Sequence, residues 1–122
     1  MAIDERICRP EECRDLAKKA YAAHPVLMDE HELKARARAF KALGNETRLK
    51  ILALLSVREL CVCDIVAALE GSASTVAHHL RMLEEVGLIT ARQEGKFTLY
   101  VHNEELVPRY HAFEPPRAGI RG

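Results

Sequence analysis

The residues of this chain best equipped for chemistry are its four cysteines, and they fall in two pairs: Cys8 and Cys13 in "ICRPEEC", Cys61 and Cys63 in "ELCVCDI". Thiolates are soft ligands that select ions such as Cd(II), Pb(II), As(III) or Zn(II) over hard, oxygen-seeking ones. Residues two apart in a regular helix point about 200° away from each other, so Cys61 and Cys63 cannot grip one ion from mid-helix. A helix start removes that obstacle, because its irregular backbone can bring both sulfurs to one side and its unpaired amides favour the thiolate. Two sulfurs alone hold an ion weakly, and Cys8 and Cys13 are the only other thiols available. Both joining Cys61 and Cys63 makes a four-thiolate set suited to tetrahedral Cd(II); one joining makes a three-sulfur pocket for As(III), Sb(III) or Pb(II). The residues alone leave open two other readings: cysteine as a small buried hydrophobe, and a disulfide switch between the two pairs.

A second group follows closely in "GSASTVAHHLRMLEEVGLI". Helical geometry turns Val76, Leu80 and Leu83 inward and leaves Ser74, Thr75, His78 and His79 to other faces. Short or flat hydrogen-bonding side chains of that kind suit base edges and phosphates. Neighbouring helical residues diverge by about 100°, which argues against one ion shared by His78 and His79. Ser72 and Arg81 lie in the same stretch, and Arg92 and Lys96 flank a later turn within reach of a phosphate backbone.

Short elements must position these groups. Pro10, Pro25, Gly44, Gly71, Gly87 and Gly95 punctuate the chain. Residues 11–23 read as a helix with Leu16, Ala20 and Ala23 on one side. A second helix opens with Asp29 and Glu32 at capping-box spacing and closes on Gly44. A third starts from Asn45 and buries Leu49, Leu52 and Leu55; a fourth covers about 62–70. A fifth, capped by Ser72 or Ser74, runs until Gly87. The period then switches from helical to alternating, with "LITAR" and "FTLYV" as strands of a β-hairpin around "QEGK". The expected fold is mainly α with a small β-hairpin wing, a winged helix-turn-helix whose second helix enters the major groove. The expected organisation is an N-terminal arm and helix carrying Cys8 and Cys13 over residues 1–28, the DNA-binding domain over 29–107 and a tail over 108–122.

Composition sets further bounds. At 122 residues with a net charge of zero, the chain suits one domain and lacks the overall basicity of many nucleic-acid binders. Residues 31–60 nevertheless hold Lys34, Arg36, Arg38, Lys41, Arg48, Lys50 and Arg58 against Glu32, Glu46 and Glu59, so a local basic face is expected. No apolar run nears the roughly 20 residues of a membrane helix, and "MAIDERICRP" is too charged for a secretory signal. A cytoplasmic location without membrane association is expected. There is no Cys-x-x-Cys, nucleophile elbow or phosphate loop, so neither catalysis nor an organic cofactor is expected.

Four segments together, "ALGNETRLKILALL", "ELCVCDI", "STVAHHLRMLEEVGLI" and "RQEGKFTLY", resemble the ArsR/SmtB family of metal-sensing transcriptional repressors, over about Leu33 to Leu106. The resemblance implies a homodimer that holds double-stranded operator DNA and lets go when a metal or metalloid ion binds. "ELCVCD" looks like the thiolate site of the cadmium/lead and arsenic sensors, at the start of the helix preceding the recognition helix. In the cadmium/lead sensors an N-terminal cysteine pair from one subunit completes that site on the other, and Cys8 and Cys13 are similarly placed. The family's second, zinc-type site is incomplete here: Glu104 falls near an acidic ligand position, Leu106 stands where a histidine is expected, and His102 and His111 read as solvated polar residues. The rival readings are a thiol redox regulator on the same fold and, from another class, a metal-binding or oxidoreductase protein that does not bind DNA.

Overall fold

The computed structural model describes residues 9–110 and Phe113. Among these residues five α-helices precede a hairpin: α1 Pro10–Ala23, α2 Glu30–Leu43, α3 Glu46–Val57, α4 Val62–Leu69, α5 Ala73–Glu85, β1 Ile89–Glu94 and β2 Phe97–His102. The chain divides into two compact units, residues 1–36 and 37–122.

In the first unit, Pro10 occupies the opening turn of α1, where a missing N–H costs nothing, and the Glu12 carboxylate accepts from the Arg9 amide at 3.4 Å. None of the residues of α1 is buried. Pro25 ends that helix and opens a 3-10 turn, Pro25–Met28. Asp29 then accepts from the Glu32 amide at 3.0 Å, the capping contact its spacing predicts.

The second unit holds the core. Asn45 caps α3 by accepting from the Arg48 amide at 3.1 Å, and Ile51, Leu52 and Leu55 on one face of α3 are at most 2% exposed. Ile65 of α4, Val76, Leu80 and Leu83 of α5, and Leu88 and Ile89 at the hairpin entry complete a contiguous apolar cluster. The expected inward residues of α5 are thus its buried ones. Leu49 is only partly buried, and Ile51 takes the central place on α3.

The hairpin pairs Ile89 with His102 through Glu94 with Phe97. Both strands run further than the alternating apolar pattern suggests, absorbing Gln93 and Glu94 and leaving a two-residue loop, Gly95–Lys96. Gly95, at φ +59°, fills the first loop position, where a two-residue II′ hairpin favours glycine. Leu60 adds a short antiparallel bridge to Tyr100 at the other edge of β2. No described helix is long and apolar enough to cross a membrane.

Candidate thiolate site and nucleic-acid interface

Cys61 is the N-cap residue of α4, in extended backbone at φ −88° and ψ 169°, and Cys63 lies in the first turn. The pair therefore occupies the helix start that its spacing requires. Asp64 closes the turn: its carboxylate accepts from the Cys61 amide at 3.3 Å and from the Cys61 thiol at 3.2 Å. Those two hydrogen bonds, with a smaller contribution from the Arg58 charge, hold the Asp64 carboxyl below its usual range. Cys61 is half-buried and Cys63 exposed, which leaves both sulfurs near solvent at a helix terminus rather than sealed among apolar side chains. Cys13 lies exposed on α1, and its amide donates to the Arg9 carbonyl at 2.9 Å; Cys8 lies outside the described residues. Among the described residues, no three potential metal ligands converge. Donor chemistry at the α4 start nevertheless fits a soft ion, with two sulfurs and one adjoining carboxylate within four positions.

The residues just before α4 tie this turn to the hairpin. The Tyr100 amide donates to the Leu60 carbonyl at 2.8 Å and the Leu60 amide returns a bond to Tyr100 at 3.3 Å. One residue earlier, Glu59 accepts from Arg92 of β1, with Arg92 Nε at 2.7 Å from Glu59 Oε1, and Glu94 pairs with the same guanidinium. These hydrogen bonds raise the Arg92 pKa.

On α5, Ser72 is the N-cap, accepting from the Thr75 amide at 3.2 Å and sharing hydrogen bonds with the hydroxyls of Thr75, 2.8 Å, and Ser74, 3.4 Å. The three hydroxyls thus form one exposed cluster at the helix start. His78 and Arg81 are exposed along α5, and Lys96 is exposed at the hairpin tip. His79 differs from its neighbours. It is half-buried, and its Nδ1 lies 3.1 Å from Nη1 of Arg48. The His78 and His79 rings are 5.6 Å apart and inclined at 56°.

The basic stretch over residues 31–60 supplies less free charge than its count suggests. Lys34 pairs with Glu30 and Arg36 with Glu32, each across one helical turn, and Arg48 is buried. Arg38, Lys41, Lys50 and Arg58 remain exposed. Of the residues near the expected C-terminal site, Glu104 is exposed, Leu106 packs against the core and His102 is half-buried at the end of β2; His111 lies outside the described residues.

The structural roles of three residues, Arg48, Asp64 and Glu59, escaped sequence reasoning. Arg48 carries a legible signal, since it stands four and seven residues before the core positions Leu52 and Leu55 and so shares their face. Asp64 stands three residues after Cys61, at capping-box spacing. Glu59 gave no sequence signal, because its partner Arg92 is 33 positions away.

Residues 45–91, from the cap of α3 into β1, match the model of a family described as bacterial regulatory protein, arsR family. A cadmium resistance transcriptional regulatory protein CadC homolog from Staphylococcus aureus is 46% identical over 72 residues, 58% of this chain and 60% of that protein. An arsenical resistance operon repressor from Escherichia coli K12 is 48% identical over 62 residues, 50% of this chain and 53% of that protein. The chain thus spans little more than half the length of these curated relatives. Among solved structures, the homodimeric winged helix-turn-helix DNA-binding domain of Mb0332 from Mycobacterium bovis, a possible ArsR-family regulator, superposes with a TM-score of 0.61 at 39% identity, covering 66% of this chain and 74% of that one. HlyU from Vibrio cholerae gives 0.60 at 31% identity, covering 67% and 90%.

Proposed function

The chain belongs to the arsR family of bacterial regulatory proteins, and on that premise we propose that it is a homodimeric repressor that holds operator DNA and releases it when a soft metal or metalloid ion binds its thiols. The observation that carries this reading is the position of Cys61. It caps α4, the helix directly before α5, and follows Leu60, which is bonded to the hairpin. A ligand that draws on Cys61 and Cys63 therefore acts on a turn linked to both elements offered to DNA, to the hairpin through Leu60 and to α5 through α4.

In this reading α5 is the recognition helix. Ser72, Ser74 and Thr75 at its start, with His78, His79 and Arg81 along it, face the major groove, while Lys96 and Arg92 of the wing address phosphate. Cys61 and Cys63 supply two sulfurs of the ion site, and Cys8 and Cys13 of the partner subunit supply the others. Four thiolates favour Cd(II), and the cadmium regulators among the relatives lend support to Cd(II) and Pb(II) as inducers; the arsenical repressor supports As(III) or Sb(III) on three thiolates as the second reading. The bound ion supplies positive charge that neutralises the thiolates and fixes their separation. Coupling between the two ligands is reciprocal, so operator DNA weakens ion binding by the same factor as the ion weakens operator binding.

The test is a titration of the reduced protein, bound to a fluorescent duplex from its own promoter region, with Cd(II), Pb(II), Zn(II) and As(III). Release at an ion concentration near the protein's own is expected for Cd(II) or Pb(II). Binding to no duplex, or release by peroxide but by no ion, would overturn the reading.

A further inference from the structure

We propose that Arg48 fixes the tautomer of His79, making that side chain of the recognition helix an obligate donor that reads a hydrogen-bond acceptor on a base edge. The proposal rests on α5 being the DNA-reading helix, and it names the chemistry this one residue recognises.

Arg48 of α3 is 8% exposed. Its Nε donates to the Ala42 carbonyl at the end of α2 at 2.6 Å, and its Nη1 donates to Sδ of Met82 at 3.3 Å and lies 3.1 Å from Nδ1 of His79. A guanidinium carries donors and no acceptor, and it stays protonated in proteins. The contact with His79 is therefore a hydrogen bond only when Nδ1 is the bare, accepting nitrogen. A neutral imidazole with a bare Nδ1 carries its proton on Nε2. Nδ1 and Nε2 lie on separate edges of the ring, so turning one toward the interior turns the other away from Arg48.

Other groups around the ring reinforce the neutral form. Arg48 faces it from α3, and His78 adjoins it on α5; burial first, then the Arg48 charge, then that of His78 lower the His79 pKa. Among the described residues, the Arg48 side chain meets a carbonyl, a thioether and this imidazole as acceptors, all neutral. A proton on Nδ1 would set two donors face to face and break the bond that joins α3 to α5; with Nε2 protonated as well, two positive groups would meet.

What Nε2–H recognises follows from the groove. Purine N7, guanine O6 and thymine O4 accept in the major groove, whereas the exocyclic amines of adenine and cytosine donate there and are rejected by a donor. A histidine free to exchange tautomers accepts either class. Arg48, which itself lies in the core, is thus a positioning residue that removes that ambiguity.

Two measurements on the intact protein test this. Long-range proton–nitrogen NMR spectra of the 15N-labelled, DNA-free protein at neutral pH should show His79 with a protonated Nε2 and an unprotonated Nδ1. Arg48→Met, which keeps an apolar stem, should convert His79 to a mixture of tautomers. For DNA, a duplex is selected from random sequence by the intact protein, then single acceptors are deleted with 7-deazapurines, 2-aminopurine or 5-methyl-2-pyrimidinone. One deletion should cost wild type about tenfold in affinity, the scale of one lost hydrogen bond, and cost His79→Ala nothing further. A proton on Nδ1 in wild type overturns the proposal even if Arg48→Met fails to fold. So does a folded Arg48→Met with an unchanged tautomer, or the lack of any deletion whose effect vanishes in His79→Ala. If no duplex is selected, the repressor reading and the base-edge role fall together, while the NMR result judges the tautomer alone.

Discussion

Leu60 and Tyr100 exchange both of their backbone hydrogen bonds, at 2.8 and 3.3 Å, so the residue next to Cys61 is stitched to the second strand of the wing. An ion that displaces the backbone at Leu60 through its neighbour Cys61 must either carry Tyr100 with it or break that bridge. Amide exchange distinguishes this from a change confined to α4. On addition of Cd(II), protection of the Tyr100 amide should change, whereas that of Leu99, whose amide faces its partner Arg92 inside the hairpin, should not. Unchanged protection at Tyr100 would exclude the wing from the response.

Arg92 is expected to be a latent phosphate contact. Glu59 and Glu94 both hold its guanidinium, and carboxylates in that position compete with DNA. The double substitution Glu59→Gln, Glu94→Gln should therefore tighten DNA binding at low salt and steepen the dependence of log K on log salt by about one ion per Arg92. Folding stability should hardly move, because exposed ion pairs contribute little. An unchanged slope would mean that Arg92 does not reach phosphate.

Replacing either cysteine of the α4 turn separates sensing from binding. Serine is a better helix N-cap than cysteine, so Cys61→Ser should fold and bind operator at least as well as wild type while losing release by the ion. Cys63→Ser should behave alike. Release of either variant at the wild-type ion concentration would place the sensor elsewhere.

The His79–Arg48 contact also makes stability depend on pH. Unfolded, His79 titrates near the ordinary histidine value of about 6.5; folded, its pKa is lowered, so the native state binds fewer protons. Its contribution is fully present above the unfolded value and is lost as pH falls through that value toward the native one. Urea midpoints should thus drop between pH 7.5 and pH 5, and His79→Asn should reduce the drop. An equal drop in the variant would assign the effect to other groups.

Leu83 is fully buried between α5 and the hairpin entry. Leu83→Ala should cost about 3 kcal/mol of unfolding free energy, the usual scale for a large-to-small change in a closed core. Chemical denaturation measures it directly, and a loss below about 1 kcal/mol would show that the site collapses around the smaller residue.

Local physics makes much of this protein readable from sequence. Capping residues, glycine at the hairpin turn and the change from a period of 3.6 to one of 2 act within a few positions, so they locate the five helices and the hairpin without knowledge of any distant contact. The inward face of α5 and the need for a helix start under Cys61 and Cys63 follow from the same short-range geometry. Pairings between distant positions follow no such rule. Arg48 finds His79 and Met82 31 and 34 residues away, and Arg92 finds Glu59 33 residues away; each depends on how α3, α5 and the wing pack together. Tertiary structure alone therefore decides which charges are spent inside the protein, which histidine nitrogen carries the proton, and that the thiol turn is bonded to the wing through Leu60 and Tyr100.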